Sequence, residues 1–259
     1  MKLHVLNVNF VTLNQQHNQS RMNNRWVIPD VHGCSKTLRS LFDNLIKPSK
    51  KDELFFLGDY IDRGPDSKGV LDFIMELQKK EYTIKLLLGN HEDFCIRAWE
   101  EDKKKKKFLG IKVKTKTQSI WEMHGGIDTL ESFGAKYTSE IPEKYIQWMR
   151  ETKLYFELEK HILVHAGLNF SIDDPLSDSY AMLWTKDFDV VPSKIRHKKV
   201  IHGHTPVNLE FLDHVIKSPS YHFIDLDNGV YMINRAGYGN LLAYELNTGD
   251  YLVQSNIDF

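Results

Sequence analysis

The stretch Leu54-Phe55-Phe56-Leu57-Gly58-Asp59-Tyr60-Ile61-Asp62-Arg63-Gly64 decides the fold. Four consecutive apolar residues, two of them aromatic, read as a strand buried on both faces, and Gly58 opens its exit loop. Upstream, Trp26-Val27-Ile28 makes a shorter strand ending at Pro29-Asp30. Between the two, Leu38, Leu41, Phe42, Leu45 and Ile46 recur at helical spacing behind Ser35, which can cap the helix. Downstream, Val70, Leu71, Ile74 and Leu77 mark a second amphipathic helix with Ser67 as a cap, and residues 84–88 form a third buried strand. Strand, helix, strand, helix, strand at this spacing predicts βαβ units around a mainly parallel sheet.

Farther along, residues 92–102, 118–133 and 141–152 read as helices. Strand signal returns at Ile162-Leu163-Val164, at Val200-Ile201, and over residues 221–226, 229–233 and 241–246. Asp227-Asn228-Gly229 and Asn247-Thr248-Gly249-Asp250 read as hairpin turns. The expected architecture is one α/β domain with two sheets over residues 25–259. Residues 1–24 read as a polar extension, since residues 7–24 hold nine Asn or Gln; Met22 is an alternative start.

With 41% apolar residues, the 259-residue chain can bury a sizeable core, which excludes a disordered or collagen-like protein. Lys and Arg total 34 against 35 acids, so no global charge draws the chain to nucleic acid or anionic lipid. Cys34 and Cys95 cannot build a disulfide framework, which fits a reducing compartment. No apolar run approaches the ~18 residues that span a bilayer, so a cytoplasmic location is expected, with no membrane and no nucleic-acid partner. Residues 103–116 carry eight lysines, five of them at 103–107. They read as a solvated face, the sharper alternative being a patch for phosphorylated or acidic substrates.

Five polar clusters each follow an apolar run: Asp30-Val31-His32-Gly33, the Gly58 to Gly64 loop, Gly89-Asn90-His91-Glu92, His165-Ala166-Gly167 and Gly203-His204-Thr205. Ligands of open α/β sheets bind beyond the carboxyl ends of strands, so these loops can meet in one cleft. Asp30, His32, Asp59, Asn90, His165 and His204 offer imidazole and oxygen donors without thiolate, which suits Mn, Fe or Zn better than Ca or Mg. Six donors exceed one tetrahedral site, and a shared Asp59 would let them hold two ions. Such a pair clamps the attacking and leaving oxygens of a phosphoryl displacement. Taken singly, each cluster reads as a surface turn or a hydrogen-bonded core histidine; their order and completeness argue for the site.

These blocks resemble the signature of the phosphoprotein phosphatases, in the bacterial and phage-type branch of the calcineurin-like metallophosphoesterases. The likeness runs from about Arg25 to the C-terminus. It implies an α/β fold in which two β-sheets form a sandwich flanked by helices, and a serine/threonine-type metallophosphatase. By that resemblance Asp30, His32 and Asp59 hold one divalent transition-metal ion, and Asp59, Asn90, His165 and His204 hold a second. Mn is the expected metal, with Fe or Zn as alternatives. A hydroxide between the ions attacks phosphorus directly, and His91, polarised by Asp62, protonates the leaving group. Arg63 and Asn90 grip phosphate oxygens. The implied substrate is a phosphorylated protein or a small phosphomonoester.

Two positions depart from the pattern. Leu88 stands where many relatives have Arg before Gly-Asn-His-Glu, and Thr185-Lys186 follows Trp184 where bacterial relatives place an Arg. Lys186 would then supply charge to the phosphate as a point donor rather than a fork. Leu88 also resembles the symmetrical diadenosine tetraphosphate hydrolases, the alternative function. Asp62 and Glu92 favour the phosphoprotein phosphatases as the main expectation. A catalytically weakened metal-binding scaffold is the non-enzyme alternative. Cys34 is set aside as a nucleophile and Cys95 as packing. His202 is a neighbour rather than a ligand, and His124, His161, His197, His214 and His222 have no partner pattern. Trp121, Trp148 and Trp184 read as packing, Trp184 least firmly.

Overall fold

Strand alternation builds the molecule. The computed structural model describes residues 23–105 and 112–259. Lys106, Lys107 and all of the polar extension except Asn23 and Asn24 lie outside them. Strands β1 (Arg25–Ile28), β2 (Glu53–Phe56) and β3 (Thr83–Leu86) pair in parallel, as the βαβ reading predicts. Ile28, Leu54 and Phe56 face one core, while Val27, Phe55 and Leu57 face another, so successive side chains enter opposite apolar layers. Fully burying a side chain such as Phe56 contributes about 1.5–3 kcal/mol.

The first layer lies against helices α1 (Ser35–Ser40) and α2 (Ser67–Lys79), whose Leu38, Val70, Leu71 and Ile74 are fully buried. Neither expected cap acts as one. Ser35 donates instead to Asp66, and it is the Asp66 carboxylate that accepts the Gly69 N–H at the start of α2. The acid outcompetes the hydroxyl because it is the stronger acceptor.

Helices α3 (Asn90–Lys104), α4 (Lys116–Trp121), α5 (Ile127–Phe133) and α6 (Glu143–Arg150) follow, near the expected bounds. A second sheet then forms from β4 (Tyr155–Glu157), β5 (His161–Val164), β6 (Lys199–His202) and β7 (Phe223–Asp225), with β5, β6 and β7 parallel. Two short helices, α7 (Ser179–Trp184) and α8 (Leu209–Lys217), connect its strands. The chain returns to the first sheet as β8 (Asn240–Glu245) and β9 (Tyr251–Ser255), completing the order β3-β2-β1-β8-β9. Asn247 to Asp250 make the hairpin between them, as expected.

Residues 229–233 are turns, not the expected strand, and Asp227-Asn228-Gly229 makes no hairpin. The Asp227 carboxylate accepts the Gly229 N–H and Asn228 ties Val207 to Gly237, so local bonds hold this segment out of a ladder.

The two sheets face each other across Val27, Phe55, Leu57, Leu163, Ile201 and Ile224. The carboxyl ends of β1, β2, β3, β5 and β6 gather at one edge. There the Leu57 carbonyl accepts from His165 Nδ1 at 3.0 Å, and the His165 carbonyl accepts the Gly203 N–H. No helix among the described residues is long and apolar enough to cross a membrane.

Candidate metal centre and active site

All five strand-end loops meet at this edge. The first two are laced together: Val31 and His32 donate N–H to the Asp59 carbonyl, and Gly33 donates to Tyr60. Gly64 must lack a side chain, because a Cβ there would collide with the His32 carbonyl. Glu92, buried at the start of α3, accepts N–H bonds from Asp59 and Tyr60 at 2.8 Å, Gly89 at 3.1 Å and Ile61 at 3.2 Å. Five of the nine described non-glycine residues with positive φ belong to the site: His32, Asp59, Asp62, Arg63 and His204. Such conformations cost about 1–3 kcal/mol each and persist where the surroundings dictate them.

Asp59 lies at the centre. Its Oδ2 is 3.6 Å from His32 Nε2 and 3.8 Å from His91 Nε2, and its Oδ1 is 3.5 Å from His165 Nε2. Two groups could each hold a metal ion, His32 with Asp59 and His91, and Asp59 with His165 and His204. Asn90 Oδ1 joins the second, 2.9 Å from His165 Nε2 and 3.0 Å from His204 Nδ1. Asp30 joins from β1, its carboxylate accepting the His204 N–H at 3.1 Å. The structure thus brings Asp30, His32, Asp59, Asn90, His165 and His204 together.

The protonation states fit a divalent cation. His32 Nδ1–H donates to the Ile61 carbonyl and His165 Nδ1–H to Leu57, which leaves Nε2 bare on each neutral ring. Burial pushes both rings toward neutrality, with Arg63 adding to the effect at His32, and burial followed by His165 takes His204 down to about 3. Burial opposes ionisation of Asp59, yet the imidazoles of His165, His91 and His32 outweigh it and hold that carboxyl well below its usual range. Burial raises Asp30, and the charges of Asp227, Asp59 and Asp225 add to it. His165 Nε2 facing Asp59 and Asn90 oxygens, and His32 Nε2 facing Asp59 beside its bond from Arg63, are donor sets that a shared cation would resolve. The donor set therefore fits divalent metal ions.

His91 is oriented from behind. Its Nδ1–H donates to Asp62 Oδ2 at 2.6 Å, Trp121 Nε1–H donates to the same oxygen at 2.7 Å, and the Thr129 hydroxyl donates to Oδ1 at 2.6 Å. Burial works against protonation of His91, but Asp59 and Asp62 outweigh it and raise its pKa. Arg63 Nη1 donates to His32 Nε2 at 2.8 Å and to the Tyr231 hydroxyl at 2.9 Å. Lys186 is exposed and lines a separate cavity of about 200 Å³ with His202, Thr205 and Asp225.

Four residues here escaped the sequence reading: Trp121 and Thr129 behind Asp62, Tyr231 beneath Arg63, and Asp227 beside Asp30. Asp227-Asn228-Gly229 is a sixth polar cluster after an apolar strand end, the same signal as the other five, read instead as a hairpin. Cys34 is fully buried, and burial pushes its thiol up to about 12, so it carries no nucleophile. Cys95 packs in the first core.

The profile of calcineurin-like phosphoesterases matches residues 24–208, which contain all six ligand-type residues. The chain belongs to this family. Among relatives, the symmetrical bis(5′-nucleosyl)-tetraphosphatase of Buchnera aphidicola subsp. Schizaphis graminum is 29% identical over 159 residues, 61% of this chain and 49% of that one. The asymmetrical enzyme PrpE of Oceanobacillus iheyensis is 27% identical over 212 residues, 70% of this chain and 76% of that one. For most of these relatives, the chain spans about half their length. A crystal structure named as that of a candidate diadenosine tetraphosphatase superposes with a TM-score of 0.60 at 17% identity, covering 90% of this chain and 94% of that one. A Saccharomyces cerevisiae serine/threonine phosphatase shares the fold as well, at 0.56 and 15%, covering 93% and 82%.

The fold is therefore as expected, and the serine/threonine phosphatase assignment is corrected. The sequence relatives above are named for dinucleoside tetraphosphates. The structure explains the misreading. Asp62 binds His91 and Glu92 ties down backbone, contacts that do not by themselves report the substrate.

Proposed function

We propose that this chain hydrolyses dinucleoside tetraphosphates at the Asp59-centred cluster, splitting the chain symmetrically into two nucleoside diphosphates. The observation that carries the reading is the run of curated relatives named for that reaction. Leu88 agrees with it, since it removes the arginine that the phosphoprotein phosphatases place before their Gly-Asn-His-Glu block.

Asp30, His32, Asp59, Asn90, His165 and His204 would hold two divalent transition-metal ions, Mn²⁺ being the first choice. Those ions, when bound, supply charge neutralisation and an activated water at neutral pH. The chain's own groups do the rest. Arg63 and Asn90 hold oxygens of the attacked phosphate, with Tyr231 fixing the guanidinium. His91, its Nδ1–H committed to Asp62, presents Nε2 to the departing oxygen and delivers a proton there. A nucleoside diphosphate leaves as a weakly basic phosphate, ionising near pH 6 in its second step, so it needs that proton less than a serine alkoxide would.

The test is product analysis with diadenosine tetraphosphate and Mn²⁺, with and without chelator. ADP as sole product, lost on chelation, supports the reading. ATP plus AMP would shift the cut to the asymmetrical position, which the longer match to the Oceanobacillus iheyensis enzyme makes the second reading. No turnover of metal-loaded protein would overturn it.

A further inference from the structure

Beside His91 the surface carries an aromatic groove that the chemistry above does not use. It has a volume of about 430 Å³ and is lined by Phe94, Arg97, Tyr180, Leu183 and Trp184, with Asp93 at its edge. Tyr180 is 72% exposed, which is unusual for so large a ring, and lies nearly parallel to Trp184 at 21°, with centroids 6.4 Å apart. Phe94 meets Trp184 edge-on at 6.3 Å. The Arg97 guanidinium sits 5.7 Å from the Trp184 ring centre and 5.4 Å from that of Phe94, and it pairs with Asp93 at 2.8 Å.

Both walls of this groove are tied to the active site. Phe94 and Arg97 follow His91 on α3, roughly 4.5 Å and 9 Å farther along the helix axis. On the other side, the Met182 carbonyl of α7 accepts the N–H of Ala166, the residue after His165. Trp184 lies two positions beyond that anchor. The groove thus adjoins the site through α3, which carries His91, and through α7, which is bonded to the residue after His165.

We infer that this groove is a nucleobase subsite, in which the base of the departing nucleotide stacks on Tyr180 and Trp184 under the Arg97 guanidinium. The inference rests on the dinucleotide reading above and adds the residues that recognise the nucleotide. Flat aromatic faces stack on any base, and an arginine over them adds cation–π attraction. A phosphopeptide would need exposed hydrogen-bonding groups for its backbone or a pocket shaped for one side chain. This groove, with one arginine already paired to Asp93, offers neither.

The experiment is calorimetric titration of the Mn²⁺-loaded protein with ADP and, separately, with pyrophosphate, for wild type, Trp184→Ala, Trp184→Phe and Tyr180→Ala. Tyr180→Ala guards against misfolding, because that side chain is mostly solvent-exposed. Losing a stacking face should weaken ADP binding about tenfold in Trp184→Ala and about fivefold in Tyr180→Ala, with Trp184→Phe near wild type. Pyrophosphate affinity should stay within about twofold throughout. Wild type binding ADP no better than pyrophosphate would overturn the subsite, as would unchanged ADP affinity in both alanine variants. Equal losses for ADP and pyrophosphate would also overturn it, as damage to the phosphate site. The titration needs no turnover, so a wild type that leaves diadenosine tetraphosphate intact sinks the proposed reaction and leaves the subsite to be decided by the binding data.

Discussion

The two walls of the site are built differently. On the first-sheet wall almost every polar group is spoken for: Glu92 accepts four backbone N–H groups, and Asp62 is held by His91, Trp121 and Thr129. On the second-sheet wall, His202 Nε2 and Asp227 Oδ2 are buried without a hydrogen-bond partner. Asp225 stands well above the usual carboxylate range, pushed there by burial and then by Asp227. Burial, with Asp59 adding to it, takes Asp227 up to about 7 despite the Gly229 N–H and Arg63. The first wall is a finished frame around His91. The second holds two neighbouring acids that burial keeps poorly ionised beside His165 and His204, and a cation bound between the walls should favour their ionisation.

That contrast can be broken by measurement. The largest effect should come from chelation, which removes activity altogether, with Mn²⁺ restoring it; turnover surviving exhaustive chelation would end the two-ion reading. Next is His91→Asn, with kcat for diadenosine tetraphosphate lower by about 10²-fold, near the bottom of the general-acid range because the leaving group is weakly basic. Metal content by elemental analysis should hardly change, and a matching loss of metal would make His91 a ligand instead. Trp121→Phe removes one of the donors behind Asp62 and should cost about tenfold in kcat, again at constant metal content.

Smaller effects probe stability. Glu92→Gln should lower unfolding free energy by about 1.5–3 kcal/mol, read from the denaturant midpoint, since it weakens hydrogen bonds to a buried carboxylate. For the second wall the prediction is a pH slope. Asp227 ionises near 7 in the fold and near 4 unfolded, so the native state binds more protons between those values. Stability from this group is present below about pH 4 and is lost as pH rises through about 7. The chelated protein should therefore have a higher midpoint at pH 5.5 than at pH 7.5, and Asp227→Asn should reduce the difference, leaving the part that Glu92, Asp30 and Asp225 contribute through burial. An equal slope in the variant would assign the effect elsewhere.

What the sequence disclosed follows the same division. The apolar runs around Leu54 to Leu57 and Ile162 to Val164 announced strands because both faces are buried, and each ended in a glycine-flanked polar loop that topology carried to one edge. Side chains acting from a distance in sequence were not legible. Trp121 looked like packing, and it is fully buried; only the fold shows its N–H on Asp62. Tyr231 sits in a segment whose apolar alternation imitates a strand, while Asp227, Asn228 and Gly229 bond it into turns. The caps failed for a related reason, since Asp66 could accept from both Ser35 and Gly69 once α1 and α2 packed together. Substrate branch was least legible of all. The residues that drew the eye, Asp62 and Glu92, bind His91 and backbone N–H groups, contacts that do not report a substrate.

The most direct test of the central claim places diadenosine tetraphosphate and a phosphothreonine peptide in one reaction with Mn²⁺-loaded protein and follows both by chromatography. The account predicts conversion of the dinucleotide to ADP while the peptide keeps its phosphate. Release of phosphate from the peptide with the dinucleotide left whole would contradict it.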